Sequence, residues 1–220
     1  SVALTEERCE ELKRGASMAR SFGVDVETIS VAEAGKRHPL LNTDGVVGAI
    51  YLPKDGQGDP ANIALALAKG ARQNGARIVE GVKVTAITQA KGRVTGVVTD
   101  QGAISTDVVI NCAGMWGREV GRMAGVPLPL QACEHFYIVT EASPEVPRNL
   151  PVLRVPDEFA YYKEDAGKIL LGAFEPVAKP WAVDGIPEAF CFDQLPEDFD
   201  HFAPMLEMAT TRIPMLEKVG

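Results

Sequence analysis

The sequence is poor in several features that would narrow its partners at once. Basic residues are outnumbered, 22 Lys and Arg against 30 Asp and Glu, which gives a net charge of -8. A chain of that sign lacks the clustered cations that nucleic acid or an anionic membrane surface requires, so neither is expected as a partner. No apolar run approaches the roughly 20 residues of a membrane-spanning helix. The helical, acidic opening SVALTEERCEELKRG is neither a signal nor a transit peptide. Cysteine is scarce: Cys9, Cys112, Cys133 and Cys191 include no CxxC pair, and His38, His135 and His201 are scattered. No metal site is expected from such spacing. Free, reduced and mostly buried thiols are expected, in a reducing compartment: the cytoplasm, or the mitochondrial matrix in a eukaryote. A convincing phosphate-cradling glycine loop is missing too.

What is present is an ordinary globular composition, 46% hydrophobic and 24% charged over 220 residues. That suffices for a core in one or two domains. Thr5 caps a predicted helix that runs to about Phe22, with Cys9, Leu12, Ala16 and Ala19 on one face and Gly23 as its stop. Ser30-Val-Ala-Glu33 is a capping box for a short helix before Pro39. VVGAIYL at 46–52 reads as a strand, and Asp59-Pro60 opens a helix to about Asn74, stopped by Gly75. From 76 to 112 the pattern is β: ARIVE, VKVTAIT, RVTGVVT, AIST and DVVINC. A short helix over 117–125 follows, then a long strand over 131–140 and a Pro-rich loop over 144–156 with a short strand at its end. FAYYKE and KILLGAF read as a hairpin around Asp165-Ala-Gly167, 176–187 as loop, and Glu197 to Arg212 as a helix interrupted by Pro204. RIPMLEKVG does not read as a natural end, so the chain is expected to be cut from a longer one.

The most informative stretch is DVVINCAGMWG, 107–117. It reads as a buried strand that stops at Ala113-Gly114, where a bare backbone allows close approach by a ligand, with Trp116 just beyond. A second motif misleads. Gly56-Gln-Gly58-Asp-Pro-Ala61, with Glu80 at a later strand end, matches a dinucleotide-binding fingerprint. Yet Asp59 would set a negative charge beside the pyrophosphate, and Pro60 removes an N–H donor from the helix start. A loop that caps a helix is the preferred reading, and a nicotinamide dehydrogenase built on these glycines is disfavoured.

The segments YLPKDGQGDP, GARIVEGVKVTAI, GRVTGVVTDQGAISTDVVINCAGMWG, VPLPLQACEHFYIVTE, LPVLRVPDEFAYYKE and KILLGAFEP, in that order, carry a resemblance. The chain resembles the amine-oxidising branch of the D-amino-acid-oxidase-like flavoproteins, the dimethylglycine and sarcosine dehydrogenases and oxidases. The resemblance implies an α+β or α/β fold: a partial FAD-binding domain, without its N-terminal βαβ unit, interleaved with a mixed antiparallel-sheet substrate domain. Residues 1–58 and 126–220 would belong to the substrate domain and 59–125 to the FAD domain. FAD is the implied cofactor, its site incomplete in this chain.

By the same resemblance, Val84, Ala113, Gly114 and Trp116 match positions near the dinucleotide. Each also has an ordinary account, as a core strand residue, a strand-to-helix turn or simple packing. His135 and Tyr161 match the substrate-side catalytic residues, with Tyr162 as the alternative on a strand where only one of the two can face the site. Arg154 suits bidentate pairing with a substrate carboxylate, though a surface or structural ion pair is the preferred reading. The implied reaction is oxidation of the N-methyl group of a small amine such as dimethylglycine or sarcosine, with oxygen or an electron-transfer flavoprotein as electron acceptor. A D-amino acid or glycine oxidase of the same fold is the first alternative, and a non-catalytic binding module the second.

Overall fold

The computed structural model describes residues 1–219. The chain divides into two compact units that interrupt each other in sequence. The first comprises Ser1–Gln57, His135–Lys179 and the residues from Leu195 onward; the second comprises Gly58–Glu134 and Pro180–Gln194.

The first unit opens with β1 (Val2–Ala3), α1 (Glu6–Ser21), β2 (Glu27–Ile29), α2 (Val31–Arg37) and β3 (Gly48–Tyr51). The caps are those expected: the Thr5 hydroxyl accepts from the Arg8 amide, and the Ser30 hydroxyl from the Glu33 amide. The strands form a small antiparallel sheet in the order β1-β3-β2. Two of them, β1 and β2, leave no period-2 trace in the sequence because they are only two and three residues long.

The same unit holds a four-stranded antiparallel sheet made of β7 (Tyr137–Val139), β8 (Leu153–Val155), β9 (Ala160–Asp165) and β10 (Lys168–Ala173), in the order β7-β10-β9-β8. The predicted hairpin forms, its turn residues Ala166 and Gly167 both at positive φ as a two-residue turn of this hand requires. One face of the sheet supplies the core. Leu153, Val155, Tyr162, Ile169 and Leu171 are buried there, with Phe202, Met205 and Ala209 of α5 (Phe199–Arg212) in the same cluster. Burying a Leu or Ile side chain is worth about 1.5–3 kcal/mol. At one margin of this core Arg212 forms a bidentate pair with Glu158, Nη2 to Oε1 at 2.7 Å and Nε to Oε2 at 3.1 Å. Its Nη1 also donates to the Asn42 and Asp44 carbonyls at 2.6 and 3.0 Å. Nearby, the Asp157 carboxylate accepts from the Leu4 amide and from Arg8 Nε.

The second unit holds α3 (Pro60–Gln73), the antiparallel sheet β4 (Val84–Ala90), β5 (Arg93–Thr99) and β6 (Gly102–Ser105), and α4 (Gly117–Met123). Four expectations fail. Residues 76–80 are not a strand, and 107–112 are neither strand nor buried, with Val108 65% and Ile110 81% exposed. Both runs have strand-like composition, but neither pairs with another strand among the described residues, and β propensity without a partner strand makes no strand. The long strand over 131–140 shrinks to β7 plus an isolated bridge from Cys133 to Pro180. The thiols are also not mostly buried: Cys9 is, but Cys112, Cys133 and Cys191 are exposed, because they sit on irregular segments rather than on packed faces. No described helix is long and apolar enough to cross a membrane.

Candidate active site

The outer face of the four-stranded sheet is built by simple alternation. Antiparallel register places Tyr137 opposite Gly172, Gly172 opposite Tyr161, and Tyr161 opposite Arg154, so these four form one row across the sheet. His135 and Phe174, two residues out from Tyr137 and Gly172, belong to the neighbouring row, and their rings lie 5.0 Å apart. Tyr162, one residue on from Tyr161, points the other way into the core and is 1% exposed. The Tyr161 position is thereby separated from its alternative.

Across this face the His135 Nε2 and the Tyr161 hydroxyl lie 3.0 Å apart, a hydrogen-bonding distance. Glycine at 172 makes the contact possible. A Cβ built there would fall 2.6 Å from Tyr161 Cε1 and closer still to its Cζ and hydroxyl, so the phenol lies in the space a side chain would fill. Phe174 touches both partners, its ring centroid 5.0 Å from His135 and 5.5 Å from Tyr161. Burial raises the Tyr161 pKa above its ordinary 10, helped by Tyr137 and Glu175. The phenol therefore stays neutral near pH 7. It donates to an unprotonated Nε2, or accepts from Nε2–H once the imidazole carries that proton. The pair can take, hold and orient one proton.

Sequence reasoning passed over Gly172 and Phe174. The signal was there: a two-residue turn at Ala166-Gly167 pairs 165 with 168, and counting outward brings 161 opposite 172.

The residues expected near a dinucleotide lie in the second unit. Val84 begins β4 and is half-buried. Ala113 precedes a short 3-10 turn, Gly114–Trp116. Asn111 fastens this stretch, accepting from the Ala113 amide at 3.2 Å and donating from Nδ2 to the Gly117 carbonyl at 2.9 Å. Gly114 has φ +54° with open space where a side chain would stand, and Trp116 is 39% exposed. This fits a surface along which an extended, partly aromatic cofactor runs: fixed backbone, no Cβ in the way, an indole beside it. It does not fit a phosphate site at α3, where the Asp59 carboxylate already accepts from the Asn62 amide at 2.7 Å and puts its charge on the helix N-terminus. Glu80, the would-be ribose partner, pairs with Arg72. The glycines at 56 and 58 are thus a helix-capping loop. Among the described residues no group of His, Cys, Asp and Glu is arranged to hold a metal ion.

The two-unit architecture has counterparts among known structures. L-proline dehydrogenase from P. horikoshii superposes with a TM-score of 0.80 over 99% of this chain and 56% of that one, at 24% identity. The chain belongs to the DAO family, described as FAD dependent oxidoreductase, whose profile matches residues 1–220. Mitochondrial sarcosine dehydrogenase of Homo sapiens is 38% identical, over 100% of this chain and 24% of the relative. The mitochondrial pyruvate dehydrogenase phosphatase regulatory subunit of Mus musculus is 40% identical, over 99% of this chain and 25% of the relative. The chain thus spans about a quarter of the length of these curated relatives.

Proposed function

We propose that the chain is part of an FAD-dependent amine oxidoreductase that oxidises the N-methyl group of a small N-methylated amino acid of the sarcosine or dimethylglycine type. The observation that carries this reading is the His135–Tyr161 pair, 3.0 Å apart on an open sheet face. The sarcosine dehydrogenase relative, matched over the whole chain, supports it. In this reading residues 58–134 are the middle of the FAD domain and the four-stranded sheet belongs to the substrate domain.

A secondary or tertiary amine is protonated near neutral pH, and its nitrogen must free a lone pair before an N-methyl C–H bond can release a hydride. The ammonium proton passes to the Tyr161 oxygen as the hydroxyl hands its own proton to His135 Nε2, so the phenol stays neutral and the imidazole carries the charge. The flavin, when bound, supplies the two-electron acceptor. The C–H electron pair leaves with the hydrogen, the nitrogen lone pair closes a C=N bond, and water adds to the methylene carbon to release formaldehyde and the demethylated amine. Ala113, Gly114, Trp116 and Val84 would line the dinucleotide.

Turnover of sarcosine, dimethylglycine, glycine and D-alanine by the full-length protein, with formaldehyde measured, tests the proposal. N-methyl substrates should react, and His135→Ala and Tyr161→Phe should each lower kcat/KM by about 10- to 100-fold or more. Turnover of glycine or D-alanine alone would transfer the chain to the oxidase alternative. A second reading, a non-catalytic binding module, draws support from the regulatory-subunit relative. FAD bound without turnover of any of the four compounds would favour it.

A further inference from the structure

Val84 and the strip Ala113–Trp116, the two parts of the second unit that match positions near a dinucleotide, are held in different ways. Val84 begins β4, which pairs with β5 along its length. The strip has no such ladder: residues 107–112, which lead into it, pair with no strand among the described residues. Within the strip the Trp116 amide donates to the Ala113 carbonyl at 3.0 Å. Asn111 closes the turn from outside. Its Oδ1 accepts from the Ala113 amide and its Nδ2 donates to the Gly117 carbonyl, so one side-chain amide brackets Gly114–Trp116 at both ends. These partners fix which way the amide points, since a flip would set oxygen against oxygen. Gly117 is the first residue of α4, and α4 is itself fastened. Arg118 donates from Nη2 to the Val183 carbonyl at 3.0 Å and from Nη1 to Gln131 Oε1 at 2.8 Å. Beyond the other end of the helix, the Ala124 carbonyl accepts from Gln89 Nε2 at 2.7 Å, and Gln89 lies on β4. A continuous path therefore runs from Val84 along β4, through Gln89 to α4, and through Asn111 to the strip.

We propose that Asn111 is a positioning residue for FAD: it sets the place of the Ala113–Trp116 strip relative to Val84, so that both meet one dinucleotide. The assignment rests on the reading that FAD lies along these residues, and it is independent of which amine is oxidised. A ligand as long as a dinucleotide touches well-separated points, and it binds more tightly when their spacing is set before it arrives. Asn does this with one donor and one acceptor on a short side chain. Asp keeps the shape but loses the donor and turns an oxygen toward the Gly117 carbonyl. Leu keeps the volume and loses both bonds. Gly114 shows why the fastening comes from a neighbour. Its bare backbone at φ +54°, with open space on the Cβ side, leaves room for a ligand but offers no side chain to hold the turn. Asn111 acts through Gly114 and Trp116 rather than by touching the cofactor.

The test uses the full-length protein, prepared free of flavin and titrated with FAD, as wild type, Asn111→Asp, Asn111→Leu and Trp116→Ala. Thermal unfolding of each flavin-free protein is measured alongside, and turnover of dimethylglycine after reloading. Both Asn111 variants should bind FAD about 10- to 100-fold more weakly, the value of hydrogen bonds whose partners are left unpaired. Their flavin-free unfolding temperatures should stay within about 3 °C of wild type, because the turn is exposed. Unchanged FAD affinity in both would overturn the assignment. A loss confined to one of them would reflect charge or polarity alone and would overturn it too. So would a large fall in the flavin-free unfolding temperature of both, which marks a merely structural role. If Trp116→Ala weakens FAD while the Asn111 variants do not, FAD lies along the strip and Asn111 does not position it. If none of the three weakens FAD, its placement along the strip falls as well. If the Asn111 variants lose FAD while wild type oxidises no amine, the assignment stands and the amine-oxidoreductase reading falls.

Discussion

Replacing Gly172 by Ala adds a single methyl group, yet it should act on the site through Tyr161. The new Cβ would overlap the Tyr161 phenol, 2.6 Å from Cε1 and nearer to Cζ and the hydroxyl. The backbone cannot yield easily, because Gly172 is paired on both sides, to Tyr137 and to Tyr161. The flexible end of the tyrosine must therefore swing away, and the 3.0 Å contact with His135 opens. A lost neutral hydrogen bond costs about 0.5–1.5 kcal/mol, and the lower chain entropy of Ala in the unfolded state offsets part of it. Stability should change by about 1 kcal/mol or less. Catalysis should suffer more, with kcat/KM down about 10- to 100-fold, because a proton-handling pair works only when held in place. The assay is a double-mutant cycle on the full-length protein with Gly172→Ala, Tyr161→Phe and both together. If the methyl acts only by displacing the hydroxyl, the double variant should be no slower than Tyr161→Phe alone. Wild-type turnover in Gly172→Ala, or losses that simply add, would refute this account.

Three further outcomes are expected. His38 is 4% exposed, its Nδ1 has no hydrogen-bond partner, and burial lowers its pKa from 6.5 to about 4. Its neutral form is the folded one, so stability present above pH 6.5 should fall toward pH 4 by an amount on the order of 3 kcal/mol, and His38→Leu should flatten that slope in unfolding measured at several pH values. Arg212→Met should cost about 3–5 kcal/mol in chemical denaturation, since it leaves the Glu158 carboxylate buried and unpaired, while Arg212→Met with Glu158→Met should recover part of the loss. The 220-residue chain alone should bind FAD weakly or not at all, because Asp59 occupies the α3 N-terminus and no phosphate-binding glycine turn lies among the described residues; a stoichiometric flavin spectrum would disprove it.

What was legible in the sequence was local. Thr5, Ser30 and Asp59 mark helix starts because a cap is written in the side chain itself, and Asp165-Ala-Gly167 marks a hairpin because few residues accept positive φ in succession. Alternation along FAYYKE was enough to say that Tyr161 and Tyr162 face opposite ways, though not which of them faces His135. The failures concern partners. Residues 107–112 have the composition of a buried strand, but pairing and burial depend on neighbours that no local pattern encodes. The same holds for β1 and β2, which exist only because β3 lies between them. Arg212 and Glu158, 54 residues apart, gave no sign of meeting. At the site, the resemblance brought forward His135 and Tyr161, while Gly172 needed the register of two strands.

The sheet that bears the His–Tyr face is closed off by contacts that reach far along the chain: Leu4 to Asp157, 153 residues on, and Asn42 to Arg212, 170 residues on. On a ribosome these partners emerge at different times. At roughly 5–20 residues per second, the first strands wait roughly 10–40 s for Arg212 to arrive. During that interval the 58–134 segment, whose own strands are neighbours in sequence, is already available to fold. Such long-range closure favours slow assembly. The nascent chain therefore holds Val2, Ala49 and their neighbours unsealed while the inserted unit matures.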